Sequence, residues 1–224
     1  MLTTKPRLGS RGKPRETQAA ILSAAVQEFA EQGMAGARTD SIARAAHVNK
    51  ALLYYYFKDK ENLYRAALDH VFSQLSGQLL EVLGRDSSPG EKIRAYVGAH
   101  FDFVASHLHY RNLVQGEIVR SGHGSPHLQR VAKRYFYPLF TGLGEVIRAG
   151  ISAGEFRAVE PLHFVPSMVA VVVFYFTSAP VMRAVTGCDP LSPERLAEHR
   201  AAVLDFISTA LFRHRTGQSE GERA

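Results

Sequence analysis

Ten histidines are the first candidates for chemistry in this sequence, because imidazole binds metals and transfers protons. His100 and His107 lie two helical turns apart, and His123 and His127 lie four residues apart across a loop. No cysteine or carboxylate completes a metal-ligand set beside either pair. The sequence therefore predicts no metal site and no cofactor.

Motifs of enzyme active sites are also missing from the pattern. We find no serine or cysteine nucleophile in a typical setting, no glycine-rich phosphate loop and no paired acids. An enzyme is therefore the weakest of the functional interpretations.

Lysines and tyrosines form the more informative group, and they lie within residues 39–60. Three residues there can cap helices with a side-chain oxygen: Thr39, Asn49 and Asp59. The short segment between the first two caps leaves room only for a turn. We therefore predict two short helices at an angle, followed directly by a third.

The second of these helices is expected to have only a narrow buried side. Leu53 and Phe57 are its inward pair, at a spacing of four residues. Its other face carries Lys50, Ala51, Leu52, Tyr54 and Tyr55. A short helix with such a face suits the major groove of DNA.

The predicted DNA contacts divide by chemistry. Tyr54, Tyr56 and Lys60 are expected to contact phosphate. The residues expected to face base edges or sugars are Lys50, Ala51, Leu52 and Tyr55. The full predicted set is Arg38, Thr39, Asn49, Lys50, Ala51, Leu52, Tyr54, Tyr55, Tyr56 and Lys60.

The stretch from Ala20 to about Ala67 resembles the DNA-binding domain of TetR-type repressors. The matching pieces are ILSAAVQEFAEQG, TDSIARAAHV, ALLYYYF and KDKENLYRAAL, in this order. Two positions depart from the family pattern: His47 stands where a turn glycine is usual, and Leu52 stands where Thr or Ser is common. The resemblance implies an all-α protein, with an N-terminal three-helix helix-turn-helix domain and a larger helical domain for ligand binding and dimerisation.

Charge and composition agree with a DNA-binding N-terminus. Residues 1–60 hold ten Lys/Arg against five Asp/Glu, whereas residues 61–224 hold seventeen against sixteen. The single cysteine, Cys188, fits a reducing compartment, and no signal peptide is apparent. We expect a cytoplasmic protein without a membrane partner.

Four segments follow from these patterns. Residues 1–16 are predicted to be a flexible basic arm and 17–60 the helix-turn-helix domain. Residues 61–215 are the predicted effector-binding and dimerisation domain, and 216–224 a frayed tail. Thr17 is the expected N-cap of the first helix, which Gly33 ends.

The region after residue 60 shows helical periodicity throughout. Its predicted helices include one over 127–153, kinked at Pro138, and one over 162–185, buried on most sides. The helices that begin at Leu162 and Ser192 are the expected dimer interface, since two such pairs would form a four-helix bundle. A two-fold dimer would read a palindromic operator.

Bulky apolar residues with few polar ones suggest an effector pocket in this region. The predicted lining is Phe103, His107, Glu117, Tyr137, Phe140, Met168 and Phe174. Glu117 favours a cationic or hydrogen-bonding ligand, although it could equally pair with Arg120. For any one aromatic residue, ordinary core packing is the alternative.

The sequence thus predicts a ligand-responsive dimeric regulator of transcription, most simply a repressor released from its operator by an apolar or cationic small molecule. A helical DNA-binding or architectural protein without an effector is the alternative, and an enzyme ranks third.

Overall fold

The computed structural model describes residues 14–120 and 126–213, and within them the protein is helical throughout, without a β-strand. The predicted all-α class is confirmed. The predicted N-terminal arm and C-terminal tail lie almost wholly outside the described residues. The helices are α1 Pro14–Gly36, α2 Thr39–Ala45, α3 Lys50–Phe57, α4 Lys60–Leu83, α5 Pro89–Ser106, α6 Leu108–Arg120, α7 Pro126–Val131, α8 Tyr137–Ser152, α9 Pro161–Thr177, α10 Ala179–Thr186 and α11 Pro193–Leu211.

The described residues form two compact units. The first takes residues 14–76, 107–120 and 126–136, and the second takes 77–106 and 137–213. The packing therefore divides the chain differently from the functional boundary predicted near residue 60, because α6 packs against α1.

In the first unit, a small core holds α1, α2, α3 and the start of α4 together. Ile21, Ile42, Leu53 and Leu63 are fully buried within it. Phe29 meets the ring of Tyr64 edge-on, with 4.8 Å between ring centres.

The predicted cap at Thr17 is wrong, because α1 begins three residues earlier at Pro14. Proline suits a first helical turn, where its missing N–H would have no partner anyway.

In the second unit, α5 packs against α8, α9 and α11. The core side chains include Val97, Phe101, Met168, Val172 and Ile207. Asp102 of α5 accepts two hydrogen bonds from the guanidinium of Arg200 in α11, at 2.7 and 2.9 Å. This paired contact fixes the two helices beside an otherwise apolar core.

Two long helices predicted from the sequence are interrupted. In place of one helix over 127–153, α7 widens into a π-helical turn, Ala132–Phe136, before α8 begins. Pro138 is the second residue of α8, two positions after the end of this turn, and has no N–H to continue an α-helical bond pattern. The irregularity expected at Pro138 therefore takes the form of a π turn.

The helix predicted over 162–185 breaks at Ser178 into α9 and α10, which are bent by 60°. Pro180 cannot donate the next helical hydrogen bond, so the chain turns there. The expectation that this helix is buried on most sides is wrong, because Leu162 and Phe174 are largely exposed.

Within the described residues, no single helix has the length and apolar character to cross a membrane; α9 and α10 meet that test only as a bent pair.

Candidate nucleic-acid interface

The short helix α3 is held by a cap at its start and by two side chains beneath it. The Asn49 side chain accepts a hydrogen bond from the Leu52 N–H at 2.7 Å, which confirms the predicted cap. Leu53 and Phe57 are buried, as their spacing predicts. With only these two anchors, most of the surface of α3 stays outside the core.

The turn before α3 contains a strained residue. His47 has φ 54, in the left-handed region that favours glycine. The turn is closed by hydrogen bonds from the His47 N–H to the Arg44 carbonyl at 3.1 Å and from the Val48 N–H to the Ala43 carbonyl at 2.9 Å. These bonds fix the angle between α2 and α3 despite the strain.

Thr39 has a different role from the one the sequence predicts. Arg38 is the N-cap of α2, and no side chain caps this helix, so the predicted Thr39 cap is wrong. The Thr39 hydroxyl lies 3.2 Å from the Tyr54 hydroxyl instead. A threonine at the start of a helical pattern can either cap its own helix or form a hydrogen bond to a neighbouring helix. Only the packing of the folded chain decides between these two roles. This contact links the start of α2 to the middle of α3.

The outward face of α3 combines rings with a cation. Tyr55 is 79% exposed, Lys50 and Ala51 are also exposed, and Leu52 and Tyr56 are half-buried. The Lys50 Nζ lies 3.0 Å from a carboxylate oxygen of Asp40. This hydrogen bond raises the pKa of Lys50, so the side chain stays charged. The structure therefore brings the predicted groove-facing residues onto one surface.

The start of α4 adds a second cation to the neighbourhood. The Lys60 amine donates to the Ala35 carbonyl at 3.2 Å, at the end of α1. Asp59 accepts the Asn62 N–H at 2.6 Å, and this bond lowers the pKa of Asp59, confirming the predicted cap. Lys60 thus already has a structural partner, and its predicted phosphate contact stays a prediction.

Two further cations of this segment were not among the DNA contacts predicted from the sequence. Arg44 on α2 and Lys58 between α3 and α4 are both exposed. Lys58 has φ 64, which a non-glycine residue seldom adopts. Their positive charge within the same stretch was the available signal, but the periodicity gave no reason to place them outward. Arg38 is exposed too, and its N–H donates to a Glu28 carboxylate oxygen at 2.9 Å.

The residues predicted to bind a ligand are dispersed. His107 and Glu117 belong to the first unit, where His107 is exposed and Glu117 is buried. Glu117 accepts a hydrogen bond from the Tyr64 hydroxyl at 2.5 Å. The two residues are 53 positions apart, so no local sequence pattern predicts this contact. The Arg120 side chain, the alternative partner predicted for Glu117, is not among the side chains that the structure describes.

The remaining ligand candidates belong to the second unit. Phe103 and Met168 are buried, and Phe140 is half-buried. Tyr137 and Phe174 are 67% and 69% exposed, so within the described chain they do not line an enclosed cavity. Their role in ligand binding stays a prediction.

Comparisons with known proteins point in one direction. Residues 21–67 match the model of bacterial regulatory proteins of the tetR family, and residues 89–207 match the tetracyclin repressor-like C-terminal domain. Among curated proteins, the transcriptional regulator RutR of Escherichia coli K12 is 29% identical, over 75% of this chain and 77% of its own. The repressor NicS of Pseudomonas putida is 26% identical, over 70% and 74%.

Solved structures agree on the fold. HlyIIR, a hemolysin II transcriptional regulator, superimposes with a TM-score of 0.66 at 24% identity, over 90% of this chain and 99% of its own. The second family model alone spans more than half of the chain, and the first spans the helices that carry the exposed lysine and tyrosine face. The chain therefore belongs to the TetR family and is a helix-turn-helix transcriptional regulator.

Proposed function

We propose that this regulator is a dimeric repressor that binds a palindromic operator and leaves it when a small molecule binds. The observation that carries the proposal is the outward face of α3, where Lys50, Ala51 and Tyr55 stand exposed on a helix anchored by two side chains. A narrow helix with such a face can enter the major groove without disturbing its own support.

The DNA contacts are assigned by position and chemistry. Lys50, Ala51, Leu52 and Tyr55 would face base edges or sugars. Tyr54, Tyr56 and Lys60 would contact phosphate, together with Arg38, Thr39 and Asn49 at the starts of α2 and α3. In this assignment residues 17–60 are the reading domain, with 1–16 as a basic arm beside it. Residues 61–215 carry dimerisation and the effector response, and 216–224 form a tail.

The dimer would form through α9 and α11. Val165, Met168 and Val172 of α9 face the core, whereas Leu162 and Phe174 on its other side are exposed. In α11, Val203 and Ile207 are buried and Phe206 is exposed. Two such faces, related by a two-fold axis, would bury these side chains in a four-helix bundle.

Release of DNA requires that the effector distinguish two states of the dimer. A ligand that binds both states equally shifts nothing, however tightly it binds. That the regulator represses rather than activates transcription is supported by the curated relative NicS, which is a transcriptional repressor.

The test is selection of binding sites from a pool of random duplexes with the full-length protein. We expect an inverted repeat, bound by two chains, with sedimentation giving the stoichiometry. A duplex with one half-site scrambled is the matched control and should bind far more weakly. Enrichment without an inverted repeat, or equal binding to all duplexes, would favour the architectural alternative.

A reporter gene placed behind the selected site then tests the sign of regulation. Expression should rise when the regulator gene is deleted and fall when it is restored. The Lys50→Ala protein is the control, because it removes one groove-facing cation while α3 keeps its buried anchors. Expression that falls on deletion would make the protein an activator.

A further inference from the structure

A cavity of about 440 Å³ lies between α1 and α6 within the first compact unit. Its volume falls in the range of small-molecule sites. The residues that line it are Phe29, Ala30, Gln32, Gly33, Met34, Ala35, Tyr64, Asn112, Leu113 and Gly116. None of these belongs to the set of ligand-binding residues predicted from the sequence.

The walls are mostly carbon and are shaped by small residues. Phe29, Met34 and Leu113 supply bulk, whereas Gly33, Ala35 and Gly116 leave space. A Cβ added at Gly116 would meet no heavy atom within 4 Å. Glycine inside a helix costs about 1 kcal/mol relative to alanine, so α6 keeps this opening at some expense to its own stability.

A buried acid stands behind one wall. Tyr64 lines the cavity, and its hydroxyl donates to Glu117, which is 2% exposed. A hydroxyl that donates its proton presents an oxygen that can accept one. A carboxylate behind the ring attracts positive charge, and low polarity around the pair strengthens that attraction. The combination favours a ligand with an N–H donor and a positive charge.

We propose that this cavity binds a small apolar amine in its cationic form. The apolar body of the ligand packs against Phe29 and Leu113, and the ammonium group lies beside the Tyr64–Glu117 pair. Gln32 and Asn112 provide further polar contacts among the lining residues.

The cavity also touches the segment that leads into α2. Gly33, with φ 65, and Ala35 line it, and the Gly33 carbonyl accepts the Ala37 N–H at 3.1 Å. The Ala35 carbonyl accepts the Lys60 amine. A ligand here presses on the last turn of α1, two residues before Arg38. That it thereby weakens operator binding rests on the proposed function; the binding itself does not.

The test of binding uses naphthylmethylamine and the full-length protein at near-neutral pH. The chain has no tryptophan, so naphthyl fluorescence reports binding without that interference. Naphthylmethanol is the neutral comparison and naphthoate the anionic one. We expect the amine to bind at least about tenfold more tightly than either. Equal or tighter binding of the alcohol or the anion would overturn the proposed charge preference.

Two glycines give a matched pair of variants. Gly116→Leu should fill the cavity and weaken amine binding at least about tenfold. Gly77→Leu makes the same change on an exposed face of α4, where a Cβ also meets nothing within 4 Å, and should bind like the unaltered protein. Both changes favour helix formation, so neither should unfold the chain. Unaltered amine binding by Gly116→Leu would place the ligand elsewhere.

Glu117→Gln tests the charge while keeping the shape. The variant should bind the amine and the alcohol with similar affinity. Operator binding, measured separately with and without the amine, then tests the consequence. Amine binding that follows the variants but leaves operator affinity unchanged would refute the link to DNA release and keep the site. Absence of amine binding would refute the site and leave the proposed repressor intact.

Discussion

Two of the regions that expose aromatic rings, α3 and the α9–α11 pair, differ in what accompanies those rings. On α3, Tyr54 and Tyr55 carry hydroxyl groups and share an exposed helix with Lys50. On α9 and α11, Phe174 and Phe206 expose carbon alone. Rings with polar tips and cations suit a hydrated, negatively charged surface, whereas bare rings are stabilised only by another apolar surface. Exposure of a ring therefore predicts a partner, and its chemistry predicts which kind.

The two regions are also held differently. The α2–α3 pair depends on a few buried carbons supplemented by hydrogen bonds, such as those between Thr39 and Tyr54 and between the Leu52 N–H and the Asn49 side chain. The group of α5, α9 and α11 depends on a larger apolar core. Substitutions should thus act through polar geometry in the first region and through carbon packing in the second.

The largest effect expected comes from a charge placed on either side of α9. Val172→Asp buries an unpaired carboxylate in the core and should destabilise the fold by more than about 3 kcal/mol. Phe174→Asp, on the exposed side, should keep its unfolding temperature near normal and shift the protein from dimer to monomer. Calorimetry and sedimentation measure the two. A dimer that survives Phe174→Asp would place the interface on another face.

The next effect is a pH dependence of stability that comes from a histidine buried in the core of the second unit. His100 is fully buried in α5, and burial lowers its pKa to about 4 from an ordinary 6.5. The unfolded chain takes up this proton at a higher pH than the folded one, so stability falls as pH drops from 6.5 towards 4. The loss should reach about 3 kcal/mol for this shift.

Chemical denaturation across this pH range measures the effect. His100→Leu should flatten the acid side of the stability profile by roughly one proton. His163→Gln, which removes an exposed imidazole from α9, is the control. An acid side that stays equally steep in His100→Leu would assign the titration to another group.

A smaller effect tests the polar region on DNA. Lys60→Ala should weaken binding to all duplexes and lower the salt slope by about one unit, as expected for one lost phosphate contact. The substitution also removes the bond to the Ala35 carbonyl, so unfolding must be followed in parallel. Lys92→Ala, which removes a half-buried lysine from α5, is the control. An unchanged salt slope would leave Lys60 as a purely structural contact to α1.

The smallest effect concerns the bond between α2 and α3. Thr39→Val keeps the shape of the side chain and Tyr54→Phe keeps the ring, and each should cost about 1 kcal/mol of stability. Because both remove the same bond, the double variant should cost little more than either one. Fully additive losses would show that the two hydroxyls act independently.

The sequence was sufficient for elements whose signal is local. The caps at Asn49 and Asp59 and the inward pair Leu53 and Phe57 follow from short-range spacing, and the structure confirms them. In α9, almost every face is apolar, so periodicity could establish a helix but not which side is buried. Pro138 and Pro180 indicated where two helices are interrupted without indicating whether the result is a kink, a π turn or a break, whereas Pro166 lies inside α9 without interrupting it.

The candidate sites were predictable to different degrees for the same reason. The α3 face is a single helical surface, so residue spacing alone assembles it. The cavity between α1 and α6 joins side chains more than eighty residues apart, and the bond between Tyr64 and Glu117 spans 53. A glycine inside the α6 pattern was the one local hint, because Gly116 weakens a helix without serving a turn.

The exposed carbon on α9 and α11 has a consequence for how the amount of this protein controls a gene. If two chains pair through that face, as proposed above, assembly follows mass action, so below the dissociation constant of the dimer the concentration of paired chains varies with the square of the total. Halving the number of copies would then reduce the DNA-binding species about fourfold. A regulator built this way would respond to its own gene dosage more steeply than in proportion.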